Sequence, residues 1–270
     1  MASDSFGKDS ELLIKAALKD GQTVLEDAYF TAPFKIAKPF FNPARGVLEL
    51  VLMAASAGIM QGDRYKIKVE LGPRARAALR GQSYSKIHRM EDGFASQSNS
   101  LVLHEGAFFD NASRPYIPFK DSSYQSTTDC HLERHSVLLH TEVLSCGREK
   151  SGESFQFKQF RNCLRVYYGD ELIFIDNQYY APARQNLEGI GFFERYTHQA
   201  TLGCFGDHLT DKLLDSLYDI LQMTEGIEFG ISKTYKFGMV ARILGNGGDC
   251  LEKTLSAMRK IIYNLVLPDR

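Results

Sequence analysis

Through most of this chain apolar and polar residues alternate one for one. RYKIKVEL at 64–71 is the clearest case, with Tyr65, Ile67, Val69 and Leu71 set against Lys66, Lys68 and Glu70. A period of two puts one set on a buried face and the other in water, which predicts a half-covered strand. LELVLM at 48–53 is almost unbroken apolar sequence and reads as a strand covered on both faces. In LRVYYGDELIFID, Gly169-Asp170 sits between two β-rich arms, the chemistry of a tight hairpin. LVLHEGAFFD repeats that theme around Glu105-Gly106. Prolines at 33, 39, 43, 73, 115, 118 and 182 argue against long helices in this part, so strands dominate from about residue 11 to 205.

The period changes near the end. Leu209, Leu213, Leu217 and Ile220 recur at helical spacing, widened by Leu214 and Leu221. A second helix is predicted from Asp249, with Glu252 three residues later in a capping-box position and Gly247-Gly248 before it. Leu251, Leu255, Met258, Ile262 and Leu265 form its apolar face, and Pro268 ends it. Between the helices, GIEFGISKTYKFGMVARIL reads as two strands around Lys236-Phe237-Gly238. The fold expected is mainly β: a large β-sheet or β-solenoid-like body with two C-terminal α-helices. No Pro/Ser-rich or low-complexity linker divides the chain, which predicts a single domain over 1–270.

Composition narrows the setting. Of 270 residues, 44% are apolar and 24% charged, and the net charge of −1 gives no nucleic-acid or anionic-membrane footprint. No apolar run approaches the roughly 20 residues that span a bilayer. The N-terminus, MASDSFGKDSELLIK, lacks the basic-then-apolar order of a signal peptide. Cys130, Cys146, Cys163, Cys204 and Cys250 are scattered and form no C-x-x-C pair, which suits reduced thiols. The expectation is a cytoplasmic protein.

Three stretches invite chemistry. AGIMQGD at 57–63 has three residues between its glycines, an acid where a phosphate loop has lysine, and a strand rather than a helix after it. It cannot cradle phosphate, and it reads as a turn needing positive φ at Gly58 or Gly62, with Asp63 bonding local amides. CHLERH at 130–135 sets His131, Glu133 and His135 on one side of a strand, a donor set for Ni²⁺ or Zn²⁺ and the basis of a nickel-storage reading. His140 has the opposite parity if that strand continues. Asp63, Glu91, Asp92, Glu142, Asp170 and Asp176 leave open a β-rich, glycosidase-like hydrolase using paired carboxylates, although the chain has no tryptophan to stack a sugar.

Taken in order, TAPFKIAKPFF at 31–41, SAGIMQGDRYKIKVELGP at 56–73, QSYSKIHRMEDGFA at 82–95 and VLLHTEVLSCGREKSGESF at 137–155 resemble the UreD/UreH family of urease accessory proteins. GIMQGD departs from the family's commoner Gly-Gly-x-x-Gly-Gly-Asp by carrying Ala57 and Gln61, so the first position of each pair is not expected at positive φ.

The resemblance implies a maturation chaperone, not an enzyme. It implies three partners: UreF, the GTPase UreG and the urease apoprotein. It implies no intrinsic cofactor, with GTP bound by the partner and Ni²⁺ present only in transit. Asp63, Ser85, Lys86, Glu142 and Asp176 match family positions associated with a polar interior path for nickel. Oxygen donors suit such a path, because a cluster of imidazoles or thiolates would hold the ion too tightly to release it. A structural alternative makes Lys86 the neutralising partner of Asp63 or Glu142. Aromatic-rich stretches such as YYAPAR, in a chain with 13 Tyr and 18 Phe, and the C-terminal helices are the expected docking surfaces.

Overall fold

The structure, a computed structural model, describes Gly7 and residues 9–267. Its described strands form two sheets, of seven and eleven strands. Five parallel neighbours lie in the first sheet: Asp9–Lys19, Arg64–Leu71, Ala95–Leu103, Ser123–Leu132 and Gln159–Tyr168. Val47–Ala54, Arg76–Gly81, Phe108–Ala112 and Val137–Ser145 are parallel neighbours in the second. The chain passes from one sheet to the other and back, so successive coils stack as in a β-solenoid. Antiparallel strands extend both ends. Asp9–Lys19 pairs with Gln22–Phe30, Gln159–Tyr168 pairs with Glu171–Tyr180, and His198–Phe205, Gly238–Gly245 and Ile227–Lys233 follow Val137–Ser145.

Alternation supplies the core. Every second residue of each strand points between the sheets, where Leu12, Ile14, Val69, Leu71, Leu101, Phe109, Leu138, Val166 and Phe205 are buried together. RYKIKVEL behaves as its period predicts, with Tyr65, Ile67, Val69 and Leu71 buried and its lysines exposed. The 48–53 stretch is covered on both faces through Leu50 and half-exposed beyond.

The two glycine turns have different outcomes. Gly169-Asp170 closes a hairpin, with Tyr168 paired to Glu171 and Gly169 at φ 57. The Glu105-Gly106 turn is no hairpin. Leu103 pairs in parallel with Leu71 and Leu132 in one sheet, and Phe108 pairs in parallel with Arg76 and Val137 in the other. The turn is a corner of the solenoid. A glycine at φ 68 serves either purpose, and only the location of the arms' partners tells them apart.

CHLERH is also divided by a corner. Its strand ends at Leu132, and His135 adopts φ 59. His131 stacks on Tyr167 with ring centroids 4.9 Å apart. Glu133 instead turns to His104 Nδ1 at 2.9 Å and accepts a bond from the Glu105 amide. The three side chains do not share a face, because a positive-φ corner interrupts the period of two.

Both late helices, α1 (Asp211–Gln222) and α2 (Gly248–Val266), cover the outer face of the larger sheet. Leu213, Leu217 and Leu221 of α1 and Leu251, Leu255, Met258 and Ile262 of α2 pack against Leu139, Val143, Leu202 and Ile243. Fully burying one such side chain contributes about 1.5–3 kcal/mol. Leu265, expected on this face, is 38% exposed, and Pro268 lies outside the described residues. The expected capping box is absent. The N-cap is Gly247 with no side-chain cap, and the carboxylates of Asp249 and Glu252 share the Tyr84 hydroxyl, each 3.0 Å from it. Among the described residues, no helix is long and apolar enough to cross a membrane.

Candidate functional site

Between the two apolar ends of the core lies a layer of polar side chains. On the seven-stranded sheet, strand register aligns Tyr65, Gln97, Ser126, Asn162 and Gln178 in a single row, one residue per strand. On the facing sheet, Asn111 lies beside His140, and Glu142, Thr201 and Arg242 continue one pair along. Amides and hydroxyls inside a sheet core are costly unless they find partners, and here they find one another. Asn111 Nδ2 donates to His140 Nδ1 at 3.0 Å. Asn162 Nδ2 donates to Glu142 Oε2, and Ser126 Oγ donates to Asn162 Oδ1 at 2.5 Å. Glu142, on one sheet, is thereby tied to Asn162 on the other.

A cavity of about 310 Å³ opens into this layer. Its mouth is formed by Ser85, Lys86, Tyr84 and Arg114, and its inner wall by Tyr65, Gln97, Asn99, Tyr116, His140 and Glu142. Among the described residues, Glu142 is the one carboxylate in the lining, so a two-acid hydrolytic mechanism has no pair there. His140 Nε2 lies 3.3 Å from Glu142 Oε1 but without hydrogen-bond geometry, which leaves this buried nitrogen unsatisfied. Burial drives the Tyr116 phenol well above its usual range, and the Glu142 charge pushes it further, so it stays protonated beside that carboxylate.

The five site residues named from sequence fall into three groups. Ser85, Lys86 and Glu142 line the cavity, with Ser85 and Lys86 at the mouth and Glu142 at the inner end. Asp63 stands behind the wall. Its Oδ2 accepts bonds from the Met60 amide at 2.8 Å and the Tyr65 hydroxyl at 2.9 Å, bracing the turn and one lining residue. Burial, then the Asp63 charge, keeps that phenol protonated. Asp176 lies beyond the cavity, at the far end of the polar layer. There it pairs with Arg242 at 2.6 Å and accepts a bond from Gln178 at 2.8 Å. Glu142 is bonded by Asn162 and lies beside His140, and no ion pair joins it to Lys86.

The glycine turn and the SYSK stretch form one structure. Gly58 adopts φ 151 and Gly62 φ 78, while Ala57 and Gln61 keep negative φ. The Ile59 amide donates to the Lys86 carbonyl at 2.8 Å. A Cβ on Gly58 would stand 2.5 Å from that carbonyl oxygen and 2.7 Å from the His88 ring. Glycine is needed here to seat the turn against the strand that carries the mouth.

Comparison with known proteins places this architecture. The family model described as UreD urease accessory protein matches residues 8–269. A urease accessory protein UreD from Acetivibrio thermocellus is 52% identical, over 96% of this chain and 99% of its own length. One from Flavobacterium johnsoniae is 34% identical over 93% of this chain and 90% of its own. A UreH from Helicobacter hepaticus is 32% identical over 92% and 96%. The chain belongs to the UreD urease accessory protein family.

In this UreD-family chain the polar layer also contains residues that the motifs alone did not single out: Asn111, His140, Asn162 and Arg242. His140 had a readable signal. It stands two residues before Glu142 in an alternating strand, which puts both on one face. Asn162 and Arg242 had none, because their positions follow from the pairing of strands distant in sequence.

Proposed function

We propose that this chain acts in urease maturation as a non-catalytic assembly factor. In this reading it docks on the urease apoprotein together with UreF and the GTPase UreG, and its inter-sheet polar layer gives Ni²⁺ a route through the protein. The observation that carries the route is the row of polar side chains from Ser85 and Lys86, past His140 and Glu142, through Asn162 and Gln178 to the Asp176–Arg242 pair. Asp63 serves it indirectly by holding Tyr65. Carboxylate, amide and hydroxyl oxygens exchange a hydrated Ni²⁺ without trapping it. The cavity lining ends at His140 and Glu142, so passage requires the Asn162 and Gln178 side chains to swing aside. GTP hydrolysis belongs to the partner, since the AGIMQGD turn offers no phosphate cradle.

Co-expression of urease with its accessory set tests this. Glu142→Gln keeps the shape and the bond to Asn162 but removes the charge. The expected result is urease with nickel content and urea hydrolysis reduced at least several-fold, while the variant still co-purifies with its partners. Normal nickel loading by Glu142→Gln and Asp176→Asn would remove the route. Normal loading with the chain omitted would remove the assembly role altogether.

A further inference from the structure

Tertiary pairing assembles a second donor set that no single segment contains. Among the described residues, the His, Cys, Asp and Glu side chains that converge are His135, Asp207 and His208, with one ligand atom of each within 4.8 Å of the others. His135 is on the solenoid corner that follows Ser123–Leu132, and Asp207-His208 follows His198–Phe205. The antiparallel pairing of Leu138 with Phe205 brings these two chain ends side by side.

The carboxylate between the imidazoles is held in place. Asp207 Oδ2 accepts bonds from the Tyr168 hydroxyl at 2.6 Å and the His135 amide at 3.2 Å. Oδ1 is then left facing both rings, 3.4 Å from His135 Nδ1 and 3.2 Å from His208 Nδ1. Burial would raise this carboxyl, but the bonds from Tyr168, His208 and the His135 amide outweigh it and bring the pKa down to about 2. Ligands of a tetrahedral ion at ~2.0–2.1 Å stand about 3.3 Å apart, and both N–O edges match that spacing. Tyr168 and the His135 amide fill the outer positions that normally fix a ligating carboxylate. Both imidazoles are exposed, beside a surface depression of about 300 Å³.

We propose that His135, Asp207 and His208 bind one divalent ion of the Ni²⁺ or Zn²⁺ class at this corner, separate from the inter-sheet layer. Two imidazoles and one carboxylate select borderline ions over Mg²⁺ or Ca²⁺. The ion takes the place of the Nδ1 protons, which pass to solvent. Three protein ligands leave outer positions to water, so the ion can exchange. Arg134 contributes positive charge near Tyr168, which makes the site weaker than a closed structural one.

Titration of the full chain with NiCl₂ alone, followed by calorimetry, and with Co²⁺, followed by its visible absorption, tests the site. One saturable ion per chain is expected. His135→Asn combined with His208→Asn should weaken binding at least about tenfold. Asparagine is chosen because it tolerates the φ of 59 at His135. Tyr168→Phe removes one of the two bonds to Oδ2 and should weaken binding by a smaller factor with an unchanged circular dichroism spectrum. Glu142→Gln should leave this site intact. Wild-type affinity in the double variant, loss of the site in Glu142→Gln, or no saturable binding by the wild-type chain would each overturn the assignment.

Discussion

Asp110 has no solvent-exposed surface, yet it holds together three elements. Its carboxylate accepts from Arg80 Nη2 at 3.0 Å, Arg259 Nε at 3.1 Å and the Tyr263 hydroxyl at 2.9 Å, so two inner strands and α2 meet on one side chain. Removing the charge leaves two guanidinium groups without their anion, and Glu49 compensates only Arg80. Asp110→Asn should cost about 3–5 kcal/mol, read as a lower urea midpoint at constant slope. A midpoint within error of wild type would show that Glu49 and water suffice. Asp63 shows what a sequence allows at this scale. A Gly-Asp turn announces a carboxylate bonded to local amides, which the Met60 amide bears out, but its second partner Tyr65 depends on the strand that follows.

At the scale of elements, α2 depends on a neutral histidine. The Gly247 amide, at its N-cap, donates to His198 Nδ1 at 3.2 Å. Burial lowers the pKa of His198 below its ordinary 6.5. A depressed histidine contributes stability that is fully present above the unfolded value of 6.5 and is lost as pH falls through it toward the folded value. Protonation also places a cation at a helix N-terminus, where the dipole opposes it. Protection of the amides in the first turn of α2, corrected for intrinsic exchange, should therefore fall as pH drops below about 6.5, and His198→Gln should remove that dependence. His104 has the opposite sign. Its bonds to Glu133 and Glu70 raise it, so its contribution is present below 6.5 and fades as pH rises through its folded value. Strand positions were legible at this scale because burial on one face imposes a period of two. Hairpin and corner were not distinguishable, because Gly106 and Gly169 look alike until the partners of their arms are known.

For the molecule as a whole, the helices are a cover. The outer face of the larger sheet carries Val47, Ala78, Leu139, Val143, Leu202 and Ile243, all buried with the helices in place. A chain ending at Gly247 loses Leu251, Leu255, Met258 and Ile262 from this contact. It should partition further into the insoluble fraction than the full chain under the same expression, through the exposed apolar face. Equal solubility of the two would mean that α1 and the strand edges protect the face alone.

Alternation, helical period and charge balance were sufficient to specify a mainly β body with two late helices, because those signals are local: each residue's burial is set by its parity. Family motifs then marked Ser85, Lys86 and Glu142, which the fold gathers around one cavity. The rest depended on which strand lies beside which. His131 and His135 are four residues apart in sequence and separate at a corner, while His135 and His208 are far apart in sequence and meet. The polar layer exists because register aligns Gln97, Ser126, Asn162 and Gln178 across four strands. Strand order and register are set by the packing of the entire core, so no local pattern could supply them.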